Sequence, residues 1–478
     1  MSHSTRRLIL RLSLLLATLL LLLATPTAAL APLEPATGRY FGAWLNTTAR
    51  SDTPELFNNR LGFKASMFQW SINIPLIASE LPPVSLIDAT GTDAILYLTV
   101  FPRMQASFNK TGNEAFDQLE PQQVLDDFVA LLQSYVSGGR RVLVRIASEM
   151  NGSWFPWGQR PTRYVAMWRR FYTAVRARIP ASQNSVAFLF SPSSGNGYPF
   201  PGGMYNPFTV NHNGTLNSTT TTHPEDFKLL DTNGDGKLDS WDDAYSPYWP
   251  GAEYVDFVGL SLYFFGVTFP WVANAMPGDR MLLDAIEGRG GAEASVTIAR
   301  QNFYATYAAP GGAYNKPMMI SETAAAFHIS LVDTPNQLLP AGPGALAMKQ
   351  AFWRQYVTNS TFLATHPQIK GVCLFEWEKD EEDTYRDYRA TQDAAILAAF
   401  KSDFYGGDGS GSGSSGGNVS AGAAAAGLYL QAAPAKNIVT GSGAAALSWS
   451  PMSIKGLFGP VGVALAAMVV VWAGPLVI

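Results

Sequence analysis

"VLVRIASEMNGSWFPWG", residues 142–158, reads as a strand that stops at a carboxylate. Val142 to Ile146 is apolar on both alternating faces, broken only by Arg145. Such a run marks a strand buried inside a parallel sheet. Glu149 follows, then Asn151 and the aromatics Trp154, Phe155 and Trp157. The next segment, "TRYVAMWRRFYTAVRARI" (162–179), sets Val165, Trp168, Tyr172 and Val175 on one helical stripe. "SVAFLFS" (185–191) is then a second apolar strand. Strand, helix, strand in that order is a parallel unit with a helical crossover. A lone Glu at such a strand exit has two readings. It is a surface carboxylate beside core aromatics, or it is a catalytic group at a barrel mouth with an aromatic floor beside it.

The same grammar extends in both directions. Strand-like runs fall at 40–45, 63–70, 94–101, 141–148, 185–191, 254–264, 316–322 and 369–377. Between the third and fourth, "PQQVLDDFVALLQSYVSGG" (121–139) aligns Val124, Phe128, Leu131, Leu132 and Tyr135. Pro121 suits the first turn and Gly138-Gly139 the stop. Eight strands alternating with helices predict an α/β fold, a (β/α)8 TIM barrel with insertions, over residues 32–405. An open doubly wound sheet is the alternative. No glycine-rich phosphate turn follows the first strand to support it.

Composition narrows the function. The chain has 478 residues, a formal net charge of −4, and 12 Trp, 19 Tyr and 27 Phe. That charge gives no electrostatic footprint for nucleic acid. Abundant aromatics suit a large core and also carbohydrate clefts, because rings present flat apolar faces. Cys373 is the single cysteine, so no internal disulfide forms.

Both ends carry targeting signatures. Arg6 and Arg7 precede a leucine-rich run and then "TPTAALA", so residues 1–31 read as a secretory signal peptide, with a retained anchor as the alternative. Residues 406–442 are a Gly/Ser/Ala-rich linker. Small residues at Thr440–Ala446, a spacer and an apolar tail then read as a GPI-attachment signal over 443–478. A tail-anchored helix is the rival, but no basic residue follows the apolar run. The expected protein is a monomer, extracellular and tied to the cell membrane. Sequons at Asn46, Asn109, Asn213, Asn217, Asn359 and Asn418 are candidate glycan acceptors. A further one, at Asn151, is expected to stay bare because it lies two residues from Glu149.

The longest insertion falls between strands 5 and 6. It contains "DTNGDGKLDSWD", Asp231 to Asp242. Asp231, Asn233, Asp235 and Asp239 fall at positions 1, 3, 5 and 9 of an EF-hand-like calcium loop. Gly236 is at position 6, Lys237 offers its carbonyl at 7, and Asp242 closes at 12. A structural Ca2+ is expected there, and a plain acidic turn is the alternative. No cofactor is expected for catalysis.

Barrel enzymes work at the C-terminal ends of their strands. Those positions hold Trp70, Glu149, Tyr263, Glu322 and Trp377, with Arg145 four residues before Glu149. Two carboxylates among aromatics suit glycoside hydrolysis, where one acid protonates the leaving oxygen and one carboxylate meets the anomeric carbon. The retaining form of that reaction uses a separation of about 5 Å.

"EMNGSWFPWG" (149–158) resembles the acid/base motif of glycoside hydrolase family 26, best known for endo-β-1,4-mannanases. "FNNRLGFKASMFQW" (57–70), "YWPGAEYVDFVGLSLY" (248–263) and "KPMMISET" (316–323) extend the resemblance over about residues 38–400. It implies that Glu149 is the acid/base and Glu322 the nucleophile. It also implies that Arg145 is the family's strand-four arginine, that Tyr263 hydrogen-bonds the nucleophile, and that Trp154 and Trp377 face the sugar. Trp70, Ser148, Asn151 and Trp157 complete the expected substrate-binding set. The chain departs from the family in having Ser148 where His is usual and Thr323-Ala324 after the nucleophile. Both changes bear on sugar preference. The expected activity is retaining hydrolysis of β-1,4-mannan or a related wall polysaccharide. A β-glucanase or β-xylanase on the same barrel, and a carbohydrate-binding pseudoenzyme, are the alternatives.

Overall fold

A computed structural model describes residues 29–209, 215, 222–288, 301–406 and 427–435. Eight parallel strands close into one barrel: β1 (Tyr40–Leu45), β2 (Met67–Ile74), β3 (Ile95–Pro102), β4 (Val142–Ile146), β5 (Val186–Phe190), β6 (Phe257–Phe264), β7 (Met318–Ala325) and β9 (Ile369–Glu376). β9 returns to β1 in register from Tyr40 opposite Gly371 to Leu45 opposite Glu376, which leaves no open edge. The eight predicted strands are these eight. The open sheet is excluded.

Helices cover the outside because each carries one apolar stripe. Gln122–Ser137 buries Val124, Phe128, Leu131 and Leu132, while Tyr135 is only partly covered. Pro121 precedes its first turn and Gly138 ends it. Pro161–Arg178 buries Tyr164, Trp168, Phe171 and Val175 against the strands. Val165 and Tyr172 lie at the margin of that stripe, so the buried face is rotated from the predicted one. Pro54–Leu61 starts at Thr53, whose side chain accepts the Leu56 N–H, and stops at Gly62 in the left-handed region.

The barrel interior is layered. Its lower part is apolar, with Tyr40, Met67, Ile95, Leu143, Phe257, Met319 and Cys373 in one cluster that Leu33 and Leu430 cover from below. Strand alternation carries the same inward rows upward to Gln69, Thr99, Arg145 and Ser261, all buried. An apolar floor under a polar upper layer places the chemistry at the C-terminal ends of the strands.

Two features depart from expectation. A second sheet, antiparallel, joins β8 (Phe327–Leu331), β10 (Glu378–Glu381) and β11 (Thr384–Asp387) in the order β10-β11-β8. It is built from the segments that follow β7 and β9, so it rises beside the barrel mouth. Residues 427–435, within the span expected to be linker, pack on the barrel. Tyr429 is buried and stacks on Phe404 with centroids 5.6 Å apart. Leu430 N–H bonds the Arg39 carbonyl (2.8 Å), Ala432 N–H that of Lys64 (2.9 Å), and Ala435 N–H that of Gly91 (2.9 Å). These carbonyls lie just before β1, β2 and β3, so the segment straps the N-terminal end of the barrel. The rest of the expected linker, and nearly all of the two expected terminal signals, lie outside the described residues. Among the described residues no helix is long and apolar enough to cross a membrane.

Candidate active site

Arg145 organises the site. It points inward from β4, is 1% exposed, and its guanidinium serves four partners. Nε donates to Ser191 Oγ (3.0 Å), Nη2 donates to Ser261 Oγ (2.7 Å), and Nη1 pairs with Glu322 Oε1. Nη2 also lies 3.8 Å from Glu149 Oε1. One buried cation therefore lies against both predicted carboxylates. Burial alone would lower its pKa, but Glu322, Tyr97 and Glu149 outweigh burial and raise it, so the charge is permanent.

The backbone aims both acids. Beyond β4, Ala147 and Glu149 adopt φ of 44° and 57°, in the left-handed region that non-glycine residues seldom occupy. The bend turns the chain away from the sheet, and Glu149 N–H is held by the Ser191 carbonyl at 2.9 Å. Glu322 is not the last residue of its strand, as the sequence suggested, but lies inside it, three residues before its end at Ala325. Leu260 of β6 faces Ile320, while the next residue, Ser261, faces Glu322, so Ser321 is an extra residue in β7. A bulge of this kind re-aims a side chain. Without it Ser321 and Glu322 would point to opposite faces. With it Ser321 bonds Ser191 Oγ (2.8 Å) and Glu322 meets Arg145, both inside the barrel.

The two carboxylates differ in environment. Glu322 Oε1 accepts from Arg145 and from Gln69 Nε2 (2.7 Å), and Oε2 accepts from the Tyr263 hydroxyl (3.1 Å). Three donors aimed at one carboxylate form the surroundings of an anion. Burial and then Glu322's charge push the Tyr263 hydroxyl well up, so it stays a donor. Glu149 has only neutral hydrogen-bond partners, the indole Nε1 of Trp154 at 2.9 Å and the hydroxyl of Ser261. Burial, followed by the charge on Glu322, raises its pKa above the ordinary glutamate range, against the opposing pull of Arg145. One carboxyl that keeps its proton longer beside one that three donors surround is the division of labour that acid and nucleophile require.

The aromatic cluster after Glu149 splits into two parts. Trp154 is partly exposed, bonds Glu149, and meets Phe200 edge-on at 5.0 Å. Gly152 lies under it, where a Cβ would come 2.4 Å from the indole. Trp157, expected to bind substrate, is fully buried. It stacks on Phe155 at 4.4 Å and donates to the Ser148 carbonyl (2.8 Å), so it is the loop's internal support. Asn151 is likewise internal: its amide exchanges two 2.9 Å bonds with the Ser193 backbone and pins the β4 loop to the β5 loop. Trp70 faces the helical layer of the core, because its neighbour Gln69 takes the inward position on β2. Ser148 is 1% exposed between the two left-handed residues.

The opposite wall is aromatic. Trp377 is partly exposed, parallel to Phe375 (5.9 Å, 11°), with Trp44 edge-on to it at 5.9 Å. Tyr263 stacks on Phe265 at 5.4 Å, and Ala324, Ala326 and Tyr388 complete the group. Of the ten catalytic and substrate-binding residues expected from sequence, the structure gathers Glu149, Glu322, Arg145, Trp154 and Tyr263 through direct contacts and sets Trp377 on the adjoining wall. Gln69, Ser191 and Ser261 join them unforeseen. Arg160 was also missed. It is fully buried and donates to the carbonyls of Gly112 (2.9 Å), Gly158 (2.6 Å), Lys110 (3.0 Å) and Tyr205 (3.2 Å), tying three loops of this rim together. Burial, against the opposing charges of Asp226 and Glu114, lowers its pKa to about 10.

The other expected sites are placed as follows. In the 231–242 loop Gly236 has φ of 80° at the sharp turn. Asp231 accepts from the Asp235 and Gly236 amides, Asn233 from that of Asp235, Asp235 from that of Lys237, Asp239 from that of Trp241, and Asp242 from those of Thr232 and Asp239. Among the described residues no three His, Cys, Asp or Glu side chains are gathered to hold a metal ion. Asn109 is exposed, Asn359 caps the helix Ser360–Thr365, and Asn46 is buried with its Oδ1 on the Ala49 amide (2.9 Å). Asn213, Asn217 and Asn418 lie outside the described residues.

Compared by sequence, the chain matches no protein-family model and no curated protein. Compared by structure, it is similar to endo-β-1,4-mannanases of glycoside hydrolase family 26. A mannanase from Bacillus subtilis is 14% identical with a TM-score of 0.39, the match covering 77% of this chain and 86% of that one. A modular endo-β-1,4-mannanase from Cellulomonas fimi is 14% identical with a TM-score of 0.42, covering 84% and 73%. A family 26 structure from Muricauda sp. is 14% identical with a TM-score of 0.42, covering 77% and 85%. At these values the functional reading rests on the chain's own residues.

Proposed function

We propose that this protein is a retaining glycoside hydrolase that cleaves a β-1,4-mannan or a related wall polysaccharide internally. The observation that supports it is the pair of unlike carboxylates on one buried guanidinium. Glu149 is a carboxyl with a raised pKa beside an indole donor, and Glu322 is a carboxylate held by Arg145, Gln69 and Tyr263. In this reading Glu322 attacks the anomeric carbon while Glu149 protonates the leaving oxygen. Glu149, now a base, then takes a proton from the water that releases the sugar from Glu322. Trp154 and Trp377 offer the ring faces on which sugars stack. Ser148, in place of a histidine, leaves the sugar preference among β-1,4-linked mannan, glucan and xylan to be measured. Incubation with a panel of these polysaccharides, with reducing ends counted and the first product's anomer read by NMR, is the test. An inverted first product rules out the nucleophile role of Glu322, and binding without new reducing ends rules out hydrolysis.

The reading includes export to the cell surface as a monomer held by a GPI anchor, supported by the pattern of the two chain ends. It also includes a structural Ca2+ in the 231–242 loop, supported by ligand spacing and by the left-handed Gly236. A surface release assay with a phosphoinositide-specific phospholipase tests the first. A melting curve with and without chelator tests the second.

A further inference from the structure

Oε1 of Glu322 ends a chain of contacts that runs from β9 through β2. Gln69 projects into the barrel from β2 and is 1% exposed. Its Nε2 donates to Glu322 Oε1 at 2.7 Å and to Thr99 Oγ1 at 2.9 Å. Its Oε1 accepts from the thiol of Cys373 on β9, at 3.2 Å. Cys373 is fully buried, and burial followed by the charge of Glu322 pushes its thiol well up, so the sulfur keeps its proton. A neutral thiol is a donor and an amide oxygen only an acceptor. The S–H bond therefore fixes which way round the Gln69 amide sits. Reversed, the amide would set its oxygen against the Glu322 carboxylate and its NH2 against the sulfur.

The two oxygens of Glu322 are thereby made unequal. Oε1 is held from below by two buried donors, Arg145 and Gln69. Among the described residues Oε2 has one, Tyr263, which is itself part of the partly exposed aromatic wall. We infer that Gln69, oriented by the Cys373 thiol, is a positioning residue that anchors Glu322 through Oε1 and leaves Oε2 as the oxygen that attacks the sugar. The bond to Oε1 serves both halves of the reaction. It stabilises the anion before attack, and it stabilises the same anion as it is expelled from the glycosyl ester. This inference rests on the nucleophile role proposed above for Glu322.

Other charged and titratable groups that face Glu322 are Arg145 on β4, Glu149 beyond it, Tyr97 on β3, Tyr263 on β6 and Cys373 on β9. A Gln69→Leu change leaves all of them in place and removes one donor from the charged form. A hydrogen bond to a charged group corresponds to about a tenfold to hundredfold effect. So kcat should fall by that factor on the best substrate, and the acid limb of kcat/KM should move to higher pH, because the anion has lost a donor. Cys373→Ala should move the limb the same way by less, and Cys373→Ser, which restores a donor, should bring it part of the way back. A role limited to packing would lower kcat without moving the limb.

A second measurement does not depend on turnover or on the variants' activity. Cys373 is the only cysteine in the chain, so the protein has a single S–H stretching band in the infrared. In the wild type it should lie at the lower frequency of a bonded thiol, and in Gln69→Leu at that of a free one. An unchanged band, or a moved band with an unmoved acid limb, overturns the inference while leaving hydrolysis by Glu322 intact. A wild type that cleaves no polysaccharide on the panel overturns the parent reading and the inference with it. A moved band with a shifted limb and the Cys373→Ser return supports it.

Discussion

Replacing Trp154 with Phe keeps a ring against Phe200 but removes the indole N–H from Glu149 Oε2, a 2.9 Å bond. The sign follows from which form the donor favours. An N–H aimed at a carboxylate stabilises the ionised form, and Trp154 indeed opposes the rise in Glu149's pKa. Its loss leaves the protonated acid favoured further. A hydrogen bond to a charged group contributes about 1.5–3 kcal/mol when dry. The Glu149 side chain is 16% exposed, so water replaces part of that bond. What remains is about 1.4 kcal/mol, or roughly one pH unit. The basic limb of kcat/KM reports loss of the general acid's proton in the free enzyme, so it should move up by about one unit. The plateau rate should fall severalfold because a carboxyl with one fewer partner is less well oriented. The assay is initial rate against pH on the best polysaccharide for both proteins. A basic limb that stays in place, or that moves to lower pH, refutes the assignment of Glu149 as the acid steered by this indole.

Glu322→Gln should abolish turnover. Glu149→Ala should be restored in part by azide on a substrate with a good leaving group, because azide attacks a glycosyl-enzyme without base help; no restoration would contradict a covalent intermediate. Trp157→Ala should lower stability by about 3–5 kcal/mol in urea melts, since it removes a fully buried indole that stacks on Phe155; a loss under 1 kcal/mol would mean that the ring is not core. Asp231→Ala and chelator should each lower the wild-type melting temperature, with no further effect of chelator on the variant; curves that coincide with and without chelator leave the loop a plain acidic turn. Peptide mapping should find Asn151 without glycan, since both ends of its amide are taken by the Ser193 backbone; a modified Asn151 in active protein would contradict that placement.

The barrel was legible because its strands are apolar on both faces and its helices on one. Glu149 and Glu322 stood out as charges within apolar runs. The split between Trp154 and Trp157 was not legible, because the loop that holds them has no period and its turn is set by glycines and left-handed residues. Gln69 did leave a signal: in "MFQWSINI" it is an amide inside the otherwise apolar first half of the strand, and a polar group there needs a partner. The larger Trp70, one residue and one face away, is the more conspicuous side chain in that run. The bulge at Ser321 has no sequence mark, since "MMISETAA" is buried at every position and alternation cannot be read from it. The small sheet was hidden by composition. "EKDEEDTYRD" (378–387) is poor in strand formers, and its pairing is held by ion pairs such as Arg386 with Glu382 and Arg389 with Glu378.

The strap at residues 427–435 has a mechanical consequence. It runs across the chain just before β1, β2 and β3, the end of the barrel opposite Glu149 and Glu322. If the protein hangs from a membrane by residues beyond 435, tension on that tether enters the fold at this base. There it is shared among the amides of Leu430, Ala432 and Ala435 and the buried ring of Tyr429. A polymer tugged during cleavage would load the protein from mouth to base along the barrel axis. The staves of the barrel lie close to that line, so the pull would shear strands and strap rather than open the cleft, and the mouth would face outward from the surface it is moored to.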